Sequence, residues 1–149
     1  MNTTIKQSVV WGVLATIVMS IFMVTATLTG VSPMPAPIPV ALVKTFLGPM
    51  PKPALIFLGI IAHLVYGGVA GGILGQIFKE RINLWIGLGW GVLLWLLMQV
   101  IFLPILGWGA FGSAITPKIA VATLILHLIY GGTLGWGLQW RLQSNPMVS

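Results

Sequence analysis

Residues 54–78 read ALIFLGIIAHLVYGGVAGGILGQIF. No charged side chain interrupts them, and the run exceeds the roughly 20 apolar residues needed to cross a hydrocarbon core of about 30 Å. Three further runs share both properties: about Val9–Thr29, Leu84–Trp108 and Ile119–Trp140. The first is longer than the roughly 7–15 apolar residues of a secretory signal core, so it is read as a span. The expected protein is all-α and integral to the membrane. A single transmembrane domain, 1–149, holds four spans at about 9–29, 54–78, 84–108 and 119–140, packed as a four-helix bundle.

Composition points the same way. Of 149 residues, 58% are apolar and 5% charged, against roughly 25% charged in soluble domains. The mean hydropathy is +1.06, and Glu80 is the one acidic residue. These values exclude an ordinary water-soluble globule and a salt-adapted acidic surface. Zero cysteines exclude disulfides, cysteine-held iron–sulfur clusters and thioether-attached haem.

The net charge of +6 is the balance of Glu80 against seven basic residues, Lys6, Lys44, Lys52, Lys79, Arg81, Lys118 and Arg141, scattered between apolar runs. No cluster or aromatic–basic alternation follows a phosphate backbone, so no nucleic-acid partner is expected. Flanking basic residues instead meet lipid head groups. With the N-terminus inside, Lys6, Lys79, Arg81 and Arg141 share the inner side, and Lys44, Lys52 and Lys118 the outer. The positive-inside rule then favours a prokaryotic plasma membrane protein with both termini cytoplasmic.

The connections differ in kind. Spans one and two are joined by Ser32-Pro33-Met34-Pro35-Ala36-Pro37-Ile38-Pro39, the apolar insert Val40–Leu47, and Gly48-Pro49-Met50-Pro51-Lys52-Pro53. Alternating prolines favour an extended, polyproline-like path. The insert is too short to span and is expected as a short helix in the interface or against the bundle. Inside span three, Pro104 should kink the helix.

One string occurs twice. His63-Leu64-Val65-Tyr66-Gly67-Gly68-Val69-Ala70-Gly71 returns 64 residues later as His127-Leu128-Ile129-Tyr130-Gly131-Gly132-Thr133-Leu134-Gly135. The two histidines and two tyrosines of the whole chain all fall in this motif. We read a duplication: two parallel helical-hairpin repeats, about 9–78 and 84–142, related by a pseudo-two-fold axis along the membrane normal. The histidines then lie near mid-membrane at equal depth, about 13 Å into their helices. His63, Gly67, Gly71 and Gly75 share one helical stripe, and His127, Gly131, Gly135 and Gln139 another. Small residues at this spacing are packing seams, so the expected helix-packing residues are Gly67, Gly71, Gly75, Gly131 and Gly135.

Lys79 followed by Ile82-Asn83-Leu84-Trp85-Ile86-Gly87-Leu88, then Phe102-Leu103-Pro104-Ile105-Leu106-Gly107, then His127-Leu128, resembles the YagU-like group of small four-helix bacterial inner-membrane proteins. The resemblance is better in the second half and implies a membrane bundle of unassigned role.

No nucleophile–base pair, paired carboxylates or phosphate loop occurs, and span interiors hold no Asp, Glu, Lys, Arg or Cys. The chain is not expected to be an enzyme by itself, though it could belong to an enzyme complex. Three readings of His63 and His127 stay open. They form structural hydrogen bonds across a seam, with Tyr66 and Tyr130 pointing elsewhere. They hold a cofactor, haem or a chlorophyll-type pigment, beside glycines that leave room for it. Or they mark a permeation path, with Gln99, Thr123 and Gln139 as further polar lining. No cofactor is required by the sequence, and the metal content is open. Trp85, Trp108 and Trp140 suit aromatic belts, while Trp90 and Trp95 lie deeper, against lipid, a subunit or a pigment. The expected role is a non-catalytic subunit or scaffold of a larger membrane assembly, respiratory or photosynthetic. Its partners are then the lipid bilayer and other membrane subunits. The alternative is a small transporter or channel formed by self-association.

Overall fold

The computed structural model describes residues 3–144. Among them the regular elements are all helical: α1 (Thr3–Leu28), α2 (Ile38–Leu47), α3 (Lys52–Phe78), α4 (Leu84–Leu97), a π-helical turn (Met98–Phe102), a last short turn α5 (Leu103–Ile105) and α6 (Lys118–Ser144). Four helical stretches are long and apolar enough to cross a membrane: Ile5–Leu28, Lys52–Phe78, Leu84–Ile105 and Lys118–Ser144. Even the shortest, 22 residues, reaches about 33 Å at 1.5 Å per residue. Their outer faces are apolar, as at Ile21, Phe57 and Val121, each at least 60% exposed. That inverts the pattern of a soluble bundle and suits hydrocarbon surroundings.

Helix ends follow local chemistry. Asn83 caps α4, its side-chain oxygen accepting from the Ile86 amide at 3.0 Å, which satisfies one of the unpaired first-turn donors. Pro39 and Pro53 stand in the first turns of α2 and α3, where a missing N–H costs nothing. α1 and α5 end alike. Gly30 (φ 73) follows Thr29, and Val31 N–H returns to Ala26 O; Gly107 (φ 75) follows Leu106, and Trp108 N–H returns to Leu103 O. These are glycine-closed Schellman turns. The third long helix therefore stops at Ile105, short of the Trp108 expected from hydropathy, because hydropathy does not register the turn at Gly107.

Pro104 acts upstream of itself. Its ring would strike the carbonyl four residues before it in a regular α-helix. Here the backbone widens into the π turn, with Leu103 N–H bonded to Met98 O. The Pro-rich connection is likewise not simply extended. It bends at residues 34–36 and buries Met34.

Packing pairs α1 with α3 and α4 with α6, and α1 against α6 joins the pairs. Glycines allow the close approaches. A Cβ on Gly12 would strike the Gly67 carbonyl oxygen, and one on Gly71 the Ser8 carbonyl oxygen. On the other pair, Cβ atoms on Gly87 and Gly131 would each strike the other's carbonyl oxygen. Gly75 is also buried. Between α1 and α6, the Trp11 ring lies over Gly137 and meets Trp136 edge-on at 6.5 Å. α2 is tucked against α3, where Gly59 makes room for Val40. Leu74, Leu103, Ile119, Leu134 and Leu138 are the largest fully buried apolar side chains among the described residues.

Candidate functional site

The glycine crossings lie on the N-terminal part of α1 and the C-terminal parts of α3 and α6, towards the Lys79–Arg81 turn. Towards the opposite end the helices enclose a cavity of about 260 Å³. Its walls come from all four long helices, and α2 and Met34 form part of the same boundary. Thr16, Met19 and Met23 face it from α1, and Met98 and Phe102 from the π turn. His63, Tyr66, His127 and Tyr130 all line it.

The repeated motif thus converges on one space, but its two copies are used differently. The His127 Nδ1–H donates to the Thr123 carbonyl at 2.8 Å, one turn back on its own helix. A carbonyl only accepts, so the proton on that nitrogen is fixed and Nε2 carries the lone pair. His63 Nδ1 lies 3.1 Å from Ser20 Oγ, on α1. The two rings line the same cavity. His127 is buried and His63 half-buried. Gly91 sits against the His127 carbonyl, where a Cβ would collide, so α4 holds the backbone of that residue.

The tyrosines diverge more sharply. Tyr130 is buried, and its hydroxyl donates to the Gly67 carbonyl at 2.6 Å, tying α6 to α3. Tyr66 is 39% exposed and meets Phe102 edge-on at 6.0 Å. Both tyrosines line the cavity, whereas the structural reading of the histidines has them pointing elsewhere. His63 and His127 start from unequal helix ends: His63 lies about 16 Å along α3 from Lys52, His127 about 13 Å along α6 from Lys118.

Thr123 is a second centre. Its hydroxyl accepts from Gln99 Nε2 at 2.8 Å and donates to Ile119 O at 2.6 Å. Gln99 is fully buried on the π turn, and its Oε1 has no hydrogen-bond partner. Of the three residues expected as further polar lining, Thr123 faces the cavity. Gln99 reaches it only through Thr123. Gln139 accepts from the Leu84 amide at 3.0 Å and acts as a cap for α4, because its place on α6 lies at the end where α4 begins. Trp95 donates to Ala120 O at 3.0 Å, and Trp90 Nε1 is buried without a partner. Among the described residues no group of three or more His, Cys, Asp or Glu could hold a metal ion.

Four methionines on this cavity, Met19, Met23, Met34 and Met98, were not singled out by sequence reasoning. Met19 and Met23 stand one turn apart, which is a visible signal. Met34 and Met98 come from a loop and a distant helix, and only the fold brings them in.

No curated protein and no solved structure matches the chain, and nothing links it to YagU-like proteins. The sequence pattern of a family of unknown function, DUF6789, matches residues 2–148. With practically its whole length matched, the chain belongs to the DUF6789 family.

Proposed function

We propose that this chain is a non-catalytic integral membrane subunit that holds a small ligand between its spans, with His63 and His127 as the contacting polar groups. The observation that carries the reading is the shared cavity lined by two imidazoles, each engaged at Nδ1. Rings held in this way are oriented before any ligand arrives, and Nε2 is the atom left to meet it. The volume of about 260 Å³ is below the roughly 300–1,000 Å³ of pockets for drug-sized molecules. It favours a compact ligand over a haem or chlorophyll-type macrocycle.

The bundle is proposed to be two parallel hairpin repeats in a prokaryotic plasma membrane, with both termini cytoplasmic. Supporting the duplication, Gly12 and Gly87 meet matched glycines, Gly67 with Gly71 and Gly131 with Gly135. Gly30 and Gly107 also end the first helical segment of each pair in the same way. The permeation alternative has less support. Backbone lies against backbone where α1 crosses α3 and α4 crosses α6, and Gln139 is engaged elsewhere.

The test is purification of the full chain from native membranes, with mass spectrometry of retained small molecules and co-purifying chains, and a visible spectrum. The expected result is a small ligand, lost in the H63A/H127A double variant while the fold is kept, and stable partner chains. A homo-oligomer with nothing in the cavity would overturn the proposal.

A further inference from the structure

We propose that the cavity takes a soft monovalent metal ion, cuprous copper being the one its donors fit. The candidate ligands are the thioethers of Met19, Met23, Met34 and Met98 and the Nε2 atoms of His63 and His127. This rests on the reading of the cavity as a ligand site and names its occupant.

The donor set is the first argument. The chain has seven methionines, and four of them stand around this one cavity. All four are buried. Methionine in a core is ordinarily a flexible filler that closes gaps. Here four such side chains border an open volume instead, and share it with both histidines of the protein. Thioethers are soft donors that select cuprous copper, and imidazole is acceptable to it.

Charge is the second. Among the described residues the cavity wall carries no carboxylate, and the chain has no cysteine to supply a thiolate. Every candidate donor is neutral. The penalty for placing an ion in a low-dielectric interior rises with the square of its charge. Neutral donors therefore favour a monovalent ion over zinc or ferrous iron, which draw on anionic ligands. A hard monovalent ion such as sodium prefers oxygen donors and finds few here.

Orientation is the third. Metal-bound histidines nearly always use their other ring nitrogen to donate a hydrogen bond, which fixes the ring and the tautomer. The His127 Nδ1–H donates to Thr123 O, and His63 Nδ1 pairs with Ser20 Oγ. Both histidines line the same cavity and are engaged at Nδ1; the Nε2 lone pair is fixed at His127, and His63 offers the same when its Nδ1–H donates to Ser20 Oγ.

The experiment uses the full chain in detergent under anaerobic, reducing conditions. Cuprous ion is titrated in competition with the chromogenic chelator bathocuproine disulfonate, and Zn(II) is tested separately with its own indicator. The expected result is one cuprous ion withheld per chain and no zinc retained. The M23L/M98L variant, which keeps side-chain volume, should lose the ion to the chelator. S20A, which releases the His63 ring, should weaken retention about tenfold. Surrender of all copper by the unmodified chain, or unchanged retention by M23L/M98L, overturns the metal assignment. If the chain holds no copper yet carries an organic molecule that H63A/H127A loses, the metal proposal falls and the ligand site stands. If it holds neither, both fall.

Discussion

Neighbouring glycines on α6 offer a direct test of the packing. A Cβ built on Gly135 would lie 2.7 Å from Asn83 O and 2.9 Å from Gly87 Cα. Both are backbone atoms, so no rotamer change relieves the contact. To bring the Asn83 oxygen out to ordinary contact at 3.4 Å, α4 and α6 must part by about 0.7 Å. That separation would loosen the contacts around Gly87 and Gly131 as well. Gly132 is the control, since a Cβ there meets only Leu88 Cδ2, at 3.5 Å. Gly135→Ala should destabilise by about 1–3 kcal/mol, the usual penalty for overpacking. Gly132→Ala should be neutral or stabilising by up to about 1 kcal/mol, because alanine is the better helix former. The two variants add the same methyl group to one helix, so composition and hydropathy change equally. Thermal melting in detergent, followed by size-exclusion fluorescence, would rank them. Equal melting temperatures, or a lower one for Gly132→Ala, would refute the backbone-contact reasoning.

Tyr130→Phe removes the hydroxyl that joins α6 to Gly67 O; the loss should be about 0.6–1.7 kcal/mol in the same melt, and no loss would mean the bond is not formed. Thr123→Val takes the acceptor from Gln99 Nε2 and should destabilise by about 1–3 kcal/mol. Gln99→Leu removes an amide whose oxygen is already unpartnered, so it should stay within about 1 kcal/mol of the unmodified chain; the reverse ranking in a denaturant series would contradict the assigned network. Reporter fusions after Arg81 and at the C-terminus should read on one side of the membrane and fusions within Met34–Pro53 on the other. A split between the first two would break the four-span arrangement.

The long helices are legible because each holds an apolar run without charge, and a charge-free run of this length has few other uses. The seam residues Gly67, Gly71, Gly131 and Gly135 were legible from four-residue spacing. Gly87 and Gly91 on α4 show the same spacing; their counterpart Gly12 on α1 stands without such a stripe, and only the bundle decides which partner it meets. Periodicity also cannot register what a proline does to the turn before it, so the π turn at Met98–Phe102 went unforeseen. Gln139 was misjudged because its helix face, not its depth, was weighed. The histidines were found because they are rare and repeated. Their anchors were not, since Ser20 belongs to another helix and Thr123 contributes a backbone atom that every residue has. The methionines are not evident as a cluster because it is assembled from three separate places in the chain, and only Met19 and Met23 are neighbours by helical spacing.

The two imidazoles differ in what they depend on. His127 is aimed by its own helix, through a carbonyl that moves with it, so its direction survives any rigid displacement of α6. His63 is aimed by a hydroxyl on α1, and a slide or roll of α1 along α3 would turn that ring alone. The glycine contacts of α1 with α3 near Gly12 lie below this pair, like the pin of a pair of scissors, and small angular play there becomes a larger excursion at Ser20. A motif written twice in the sequence thus has one ring tied to its own helix and one tied to its neighbour.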